Sequence, residues 1–351
     1  MALAESLTGR LKERARAEGF DAIGVARAGP LDRDAAALSA WLAGNKEAGM
    51  AWMARDPEKR SDPTTLLPGC RSVIVVAMNY WPGDDEARPL PGRGQVALYA
   101  RGRDYHRVLG GKLKTLAAWL DAESGAASRS FVDTGPVLER AWAEQAGIGW
   151  IGKNANLLTR TIGSWLLLGD ILTTAELDPD DGPHAEFCGS CTACLTGCPT
   201  GAIESPGVVN AHRCISYWTI EHRGPIPEER RPDLEDWIFG CDVCQTVCPW
   251  NESFAKAAPP QSFSRRDDLR SLDPEEILGL DEASFRARYS GTALMRATWR
   301  GMRRNACIVL GNAKDPRSLP ALRRALDDDD PVVRDHAAWA MARIVRSAPE
   351  A

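Results

Sequence analysis

Seven of the ten cysteines lie in two short runs, C-G-S-C-T-A-C-L-T-G-C-P from Cys188 and C-D-V-C-Q-T-V-C-P from Cys241. The first run has the C-x2-C-x2-C-x3-C-P spacing of bacterial [4Fe–4S] ferredoxins, whose fourth cysteine serves the other of two clusters. The second run is one cysteine short of the same pattern. Two clusters need eight thiolates, so the eighth must be Cys70, Cys214 or Cys307, and Cys214, in H-R-C-I-S-Y between the runs, is best placed. The crossing rule then predicts one cluster on Cys188, Cys191, Cys194 and Cys248 and the other on Cys198, Cys214, Cys241 and Cys244. A tetrahedral zinc site calls for paired C-x-x-C units, which this run does not resemble. Disulfides need an oxidising compartment, for which the chain shows no export signal. Cys70 and Cys307 read as small core residues.

Clusters of this kind fit a bare electron carrier, a reductase that feeds a second cofactor, or a regulatory nucleic-acid-binding protein. The roughly 180 residues ahead of the clusters exceed one small domain and argue against the carrier. They must position something. Leu3, Leu7, Leu11 and Ala15 have helical spacing up to Gly19. Ser72–Tyr80, S-V-I-V-V-A-M-N-Y, is continuous and β-branched and predicts a central strand. Helical period returns over Asp104–Leu120, and a strand starts at Ser130. Val137–Ala146 reads as a helix with Pro136 at its first position, and a strand pair or one long strand follows over Ser164–Thr174. The segment 50–63 is polar and proline-punctuated, hence a surface loop, and 82–94 is a Gly/Pro-rich connection. G-I-G-W-I-G from Gly147 follows a helix rather than a strand, so it is no dinucleotide fingerprint.

The alternation predicts an α/β (α+β) layered domain over residues 1–178, a ferredoxin-type double-cluster domain over 179–258, and a helical tail over 259–351 after Pro259 and Pro260. M-R-R-N-A-C-I-V-L-G-N and the segment from Leu319 give that tail a HEAT-like look, and so short a unit must stack on the rest of the protein. A net charge of −5 and 44% hydrophobic residues fit a soluble protein. The longest apolar run is broken by Gly169 and Asp170 and is too short for a bilayer. A cytoplasmic monomer is expected. From Arg286 to Arg304 there are six arginines and no acid, a local site for a polyanion. The Asp327–Asp330 run reads as a solvated turn and helix cap.

R-G-R-D-Y-H (Arg101–His106), V-D-T-G-P-V-L-E-R (Val132–Arg140), A-G-I-G-W-I-G-K-N (Ala146–Asn154), C-P-T-G-A-I, R-C-I-S-Y and G-C-D-V-C-Q-T-V-C-P-W stand in this order ahead of the helical tail. Together they resemble the epoxyqueuosine reductase family. The resemblance implies reduction of epoxyqueuosine to queuosine at the wobble position of a tRNA anticodon. It also implies base-off cobalamin beside two [4Fe–4S] clusters, fed by a low-potential electron donor. Asp104-Tyr105-His106 nearly forms the D-x-H-x-x-G cobalamin motif, but Leu109 replaces the glycine, and His106 is not expected to bind cobalt.

Asp133 matches the family's proton donor, which would need a raised pKa; on its own residues it reads as a cap ahead of Pro136. Arg60, Tyr105, Lys153, Ser216 and Asp242 match or adjoin cobalamin contacts. For the anticodon stem-loop the arginine stretch offers Arg296, Arg300, Arg303 and Arg304 with Trp299. The competing readings are a reductive dehalogenase-like small-molecule reductase and a non-catalytic iron–sulfur scaffold.

Overall fold

Every side chain of the strand Ser72–Asn79 is buried. Ile74, Val76 and Met78 enter one core and Val73 and Val75 the other, so period-2 alternation vanishes from a strand covered on both faces. Each such aliphatic side chain contributes about 1.5–3 kcal/mol of burial. The computed structural model describes residues 6–83, 93–259 and 262–347; most of the 82–94 connection, Pro260 and Leu3 lie outside them. The strand is central in a four-stranded sheet, in the order Ala22–Arg27, Ser72–Asn79, Leu166–Thr173, Ser128–Phe131.

All three pairings are antiparallel. The layered class holds, but it is built from antiparallel neighbours rather than βαβ crossovers. Helices Leu7–Ala17 and Tyr105–Ser124 cover one face through Leu11, Ala15, Leu109, Leu113 and Leu116. The short helix Glu139–Gln145 covers the other through Ala141 and Trp142. A Cβ on Gly24 would stand 2.1 Å from the Ala146 carbonyl oxygen, so only glycine lets the edge strand pass the end of that helix.

The cysteine-bearing segment docks on one end of this sheet. Ser164 donates its amide to Asn251 Oδ1 (2.6 Å) and its hydroxyl to Gln245 Oε1 (2.9 Å), and Gln245 Nε2 donates to the Tyr80 hydroxyl (3.1 Å). A small second sheet ties three regions together: Gly94–Val96 pairs parallel with Trp237–Phe239 and antiparallel with Ser271–Leu272. Helix Thr298–Ala313 then packs on both the Trp237 strand and the final helix Pro331–Ser347 in one apolar core. A Cβ on Gly311 would clash with Trp339 and Ala340, at 2.7–2.9 Å. The tail therefore buries its apolar face against the middle of the chain, as so short a repeat must. Among the described residues no helix is long and apolar enough to cross a membrane.

Candidate active site

The loop leaving the strand Ser128–Phe131 carries Asp133, whose φ of 54° is left-handed. That conformation costs a non-glycine residue about 1–2 kcal/mol, so something must hold it. The Asp133 amide donates to the Glu139 carboxylate at the start of the next helix. Gly135 lets the loop fold back, since a Cβ there would lie 2.5 Å from the Phe131 ring. The helix starts at Glu139, with Leu138 at the cap position, so Pro136 stands outside it and Asp133 does not cap it.

Helix Tyr105–Ser124 begins beside this loop. Asp104 caps it through the His106 amide (3.0 Å), and the same oxygen meets His106 Nδ1 at 2.7 Å. The other ring nitrogen, Nε2, lies 3.1 Å from Asp133 Oδ2. The Tyr105 hydroxyl favours the ionised form of the Asp133 carboxyl, and the Tyr105 ring stacks on His106, centroids 4.1 Å apart. Hydrogen bonds to Asp104 and then to Asp133 outweigh burial and raise His106 to about 9.

The Asp133 side chain is 57% exposed. Its surroundings push its pKa up, but the His106 and Tyr105 hydrogen bonds, with the charges of His106 and Arg296, hold it below the ordinary carboxylate value. The raised pKa expected for a proton donor is therefore corrected: the acid has cationic partners, and the proton sits on the imidazole. Behind the loop, burial pushes Glu139 and Asp170 the other way. Asp170 is fully buried, with neither carboxylate oxygen hydrogen-bonded.

Opposite Asp133 stands Arg296, from the helical tail. It makes a two-pronged pair with Glu221 (2.9 and 2.7 Å) and lies over the Trp52 ring at 5.3 Å. Arg60 donates to the Trp52 carbonyl at 2.8 Å, while its Nε is buried without a partner. Segment 50–63 is thus two short helices that line the site rather than a plain loop. An orphaned guanidinium N–H, on a segment whose Arg60 carbonyl accepts the Leu138 amide at 3.3 Å, suits a large ligand rich in amide carbonyls, as a corrin is.

The eight cysteines come together in the fold. Cys188, Cys191 and Cys248 are the thiols that act on Cys194; Cys214, Cys198 and, across the border, Cys194 act on Cys244. Cys241 has Cys214 and Cys244 as neighbours. All eight are free thiols. Two neighbouring sets of four thiols suit two cubanes. Among the described residues no three His, Cys, Asp or Glu side chains converge on one ion, whereas a cubane spreads its ligands wider than a single ion does. Cys70 and Cys307 are buried elsewhere.

Of the remaining expected contacts, Ser216 lies two residues from Cys214 and favours its thiolate. Lys153 donates to the carbonyls of Gly189 (2.5 Å) and Cys191 (3.0 Å), holding the first cysteine loop. Asp242 is 4% exposed and accepts the Leu98 amide at 2.7 Å, so its carboxylate braces the chain beneath the site.

The arginine stretch needs the largest correction. Its acids come from elsewhere in the chain: Glu282 to Arg286, Glu276 to Arg288, Glu221 to Arg296, Asp330 to Arg300 and Asp328 to Arg303. Arg304, 1% exposed, donates to the carbonyls of Trp218, His222 and Gly224. Arg303 is buried over Trp299 (4.7 Å), whose indole N–H is spent on Leu280 O. Arg303, Arg304 and Trp299 are therefore part of the packing, and the Asp327–Asp330 run answers partly to Arg303. Arg300, 73% exposed, remains open. Arg304→Ala should cost about 3 kcal/mol or more in urea unfolding, because it strands buried carbonyls; Arg300→Ala should stay within about 0.5 kcal/mol.

Comparison with known proteins now places the chain. A family model described as epoxyqueuosine reductase QueG, DUF1730, matches residues 60–134, a 4Fe-4S double cluster binding domain matches 187–251, and HEAT repeats match 292–351. The epoxyqueuosine reductase of Gloeobacter violaceus is 46% identical over 312 residues, 87% of this chain and 96% of its own. That of Vibrio cholerae is 40% identical over 342 residues, 96% and 92% of the two chains. Among solved structures, an epoxyqueuosine reductase with a tRNA-Tyr epoxyqueuosine-modified stem loop superposes with a TM-score of 0.90 at 34% identity, covering 96% of this chain and 90% of that one. A Bacillus subtilis structure at TM-score 0.89 and 33% identity, with the same coverage, has its catalytic aspartate loop swung out of the active site. With its double-cluster segment, its open carboxylate and likeness over nearly its whole length, this chain is a member of the epoxyqueuosine reductase family.

Proposed function

We propose that the protein reduces epoxyqueuosine to queuosine in the anticodon of tRNA. The carrying observation is the placement of Asp133: a half-exposed carboxylate just past the strand Ser128–Phe131, held by the His106 ring and within reach of the Arg296 charge, in a chain whose eight cysteines gather in two sets. Cys188, Cys191, Cys194 and Cys248 hold one [4Fe–4S] cluster, and Cys198, Cys214, Cys241 and Cys244 hold the other. Arg60, Tyr105 and Asp133 line the seat of cobalamin, with Ser216 at its cluster side. When bound, these groups relay single electrons from a low-potential donor to a cobalt that supplies the reductant for the epoxide.

The chain's own residues do the rest. Asp133 protonates the oxygen as the C–O bond breaks. Arg296, steadied by Glu221 and Trp52, borders the site where the base enters, and Arg300, 73% exposed and only loosely paired with Asp330 at 3.6 Å, offers its charge to the RNA backbone. Every group comes from one chain, so a monomer suffices. The protein runs as three units, residues 1–178, 179–258 and 259–351.

The test is anaerobic, cluster-loaded protein given cobalamin, a low-potential reductant and tRNA carrying epoxyqueuosine. Queuosine should form; failure to bind cobalamin, or turnover of haloorganic compounds alone, overturns the reading. Arg300→Glu should weaken stem-loop binding and reduce the slope of log affinity against log salt by about one. An unchanged slope removes Arg300 from the interface.

A further inference from the structure

We propose that the Asp104–His106 pair is the proton source of Asp133: the proton delivered to the substrate oxygen is held on His106 Nε2 and crosses through the Asp133 carboxyl. This rests on Asp133 as the acid of the reaction and adds what loads it. Loading is needed because Asp133, as placed, is ionised.

The geometry forms a continuous line. Asp104 Oδ1 is 2.7 Å from Nδ1, and Nε2 is 3.1 Å from Asp133 Oδ2. Asp104 lies at the helix start, where the His106 amide also fixes it, so it keeps Nδ1 protonated and leaves Nε2 as the nitrogen that gives and takes. Tyr105, stacked on the ring, fixes its plane. The imidazole is 32% exposed, so water reaches it. The other charged groups facing the relay are Glu139, Arg140 and Arg296, which act on Asp133, and Arg107, which acts on Asp104. Two carboxylates flank the ring directly, and they keep it charged above neutral pH.

Removing an epoxide oxygen as water consumes two electrons and two protons. The electrons arrive through the clusters. In each proton step the His106 Nε2–H bond breaks and an O–H bond forms on Asp133. Asp133 passes that proton to the oxygen leaving carbon. His106, now neutral with Nδ1–H kept by Asp104, takes the next proton from solvent. A lone carboxylate would have no hydrogen-bonded donor in place when the C–O bond breaks, whereas His106 Nε2 stands 3.1 Å from Asp133 Oδ2.

The discriminating variant is Asp104→Asn, since asparagine caps a helix about as well as aspartate but no longer holds an imidazolium. In holoenzyme with nitrogen-labelled histidine, the His106 ring should titrate near 9, and in Asp104→Asn about one pH unit or more lower. In single turnovers of an epoxyqueuosine stem-loop, the alkaline fall in rate should move down with it. His106→Gln should lose that limb and slow the proton step at every pH. A wild-type His106 that titrates like an ordinary histidine overturns the proposal. So does an Asp104→Asn profile that stays in place while Asp133→Asn still abolishes turnover. Full activity in Asp133→Asn would instead sink the assignment of Asp133 itself.

Discussion

Replacing Cys214 with alanine should lower the iron held after anaerobic loading from about eight to about four atoms per chain and remove turnover altogether. Cys214 lies outside both cysteine runs, yet it is an electrostatic neighbour of Cys241 and Cys244. It is packed by Ala211, Ile215 and Trp218, beside Cys241. Three thiolates leave one corner of a cubane open to solvent, and the cluster that loses Cys214 would be the one shared with Cys198, Cys241 and Cys244. Electrons would then stop at the surviving cluster. Cys70→Ala is the matched control: a buried thiol near the Ser72 carbonyl, away from the other cysteines, whose loss should cost stability but no iron. Full iron in Cys214→Ala would move the eighth ligand elsewhere.

Asp133→Asn should reduce single-turnover queuosine formation by about 10²–10⁴, the usual worth of a positioned proton donor. Stem-loop affinity and iron content should stay at wild-type values. Asparagine keeps the backbone bond to Glu139 and can keep a contact to His106, so the loop should hold its position while the ability to pass a proton is lost. The same change removes one of the two carboxylates that charge His106. In the parent protein, the raised His106 pKa stabilises the fold below about pH 6.5, and that contribution is lost as pH rises through about 9. In Asp133→Asn the contribution should be smaller and should be gone at a lower pH, which urea unfolding across pH 6–10 can follow. Wild-type turnover in this variant would mean that another group supplies the proton.

The sequence by itself determined what depends on short-range spacing. The cysteine runs carry their chemistry in their intervals, because a cubane fixes the separation of its ligands. The all-apolar Ser72–Asn79 could be read as central because a strand covered on both faces has no polar side to show. The helical tail and the motifs of the family were equally visible. Long-range pairing was not. Nothing local links Arg296 to Glu221, Arg303 to Asp328 or Arg304 to three carbonyls near residue 220, so a row of arginines without neighbouring acids looked like an open polyanion site. The pKa of Asp133 was misjudged for the same reason, since His106 lies 27 positions away and meets it only when the helix start folds against the strand end. Charge states follow from the distances between side chains brought together by packing, and those distances exist only in the folded chain.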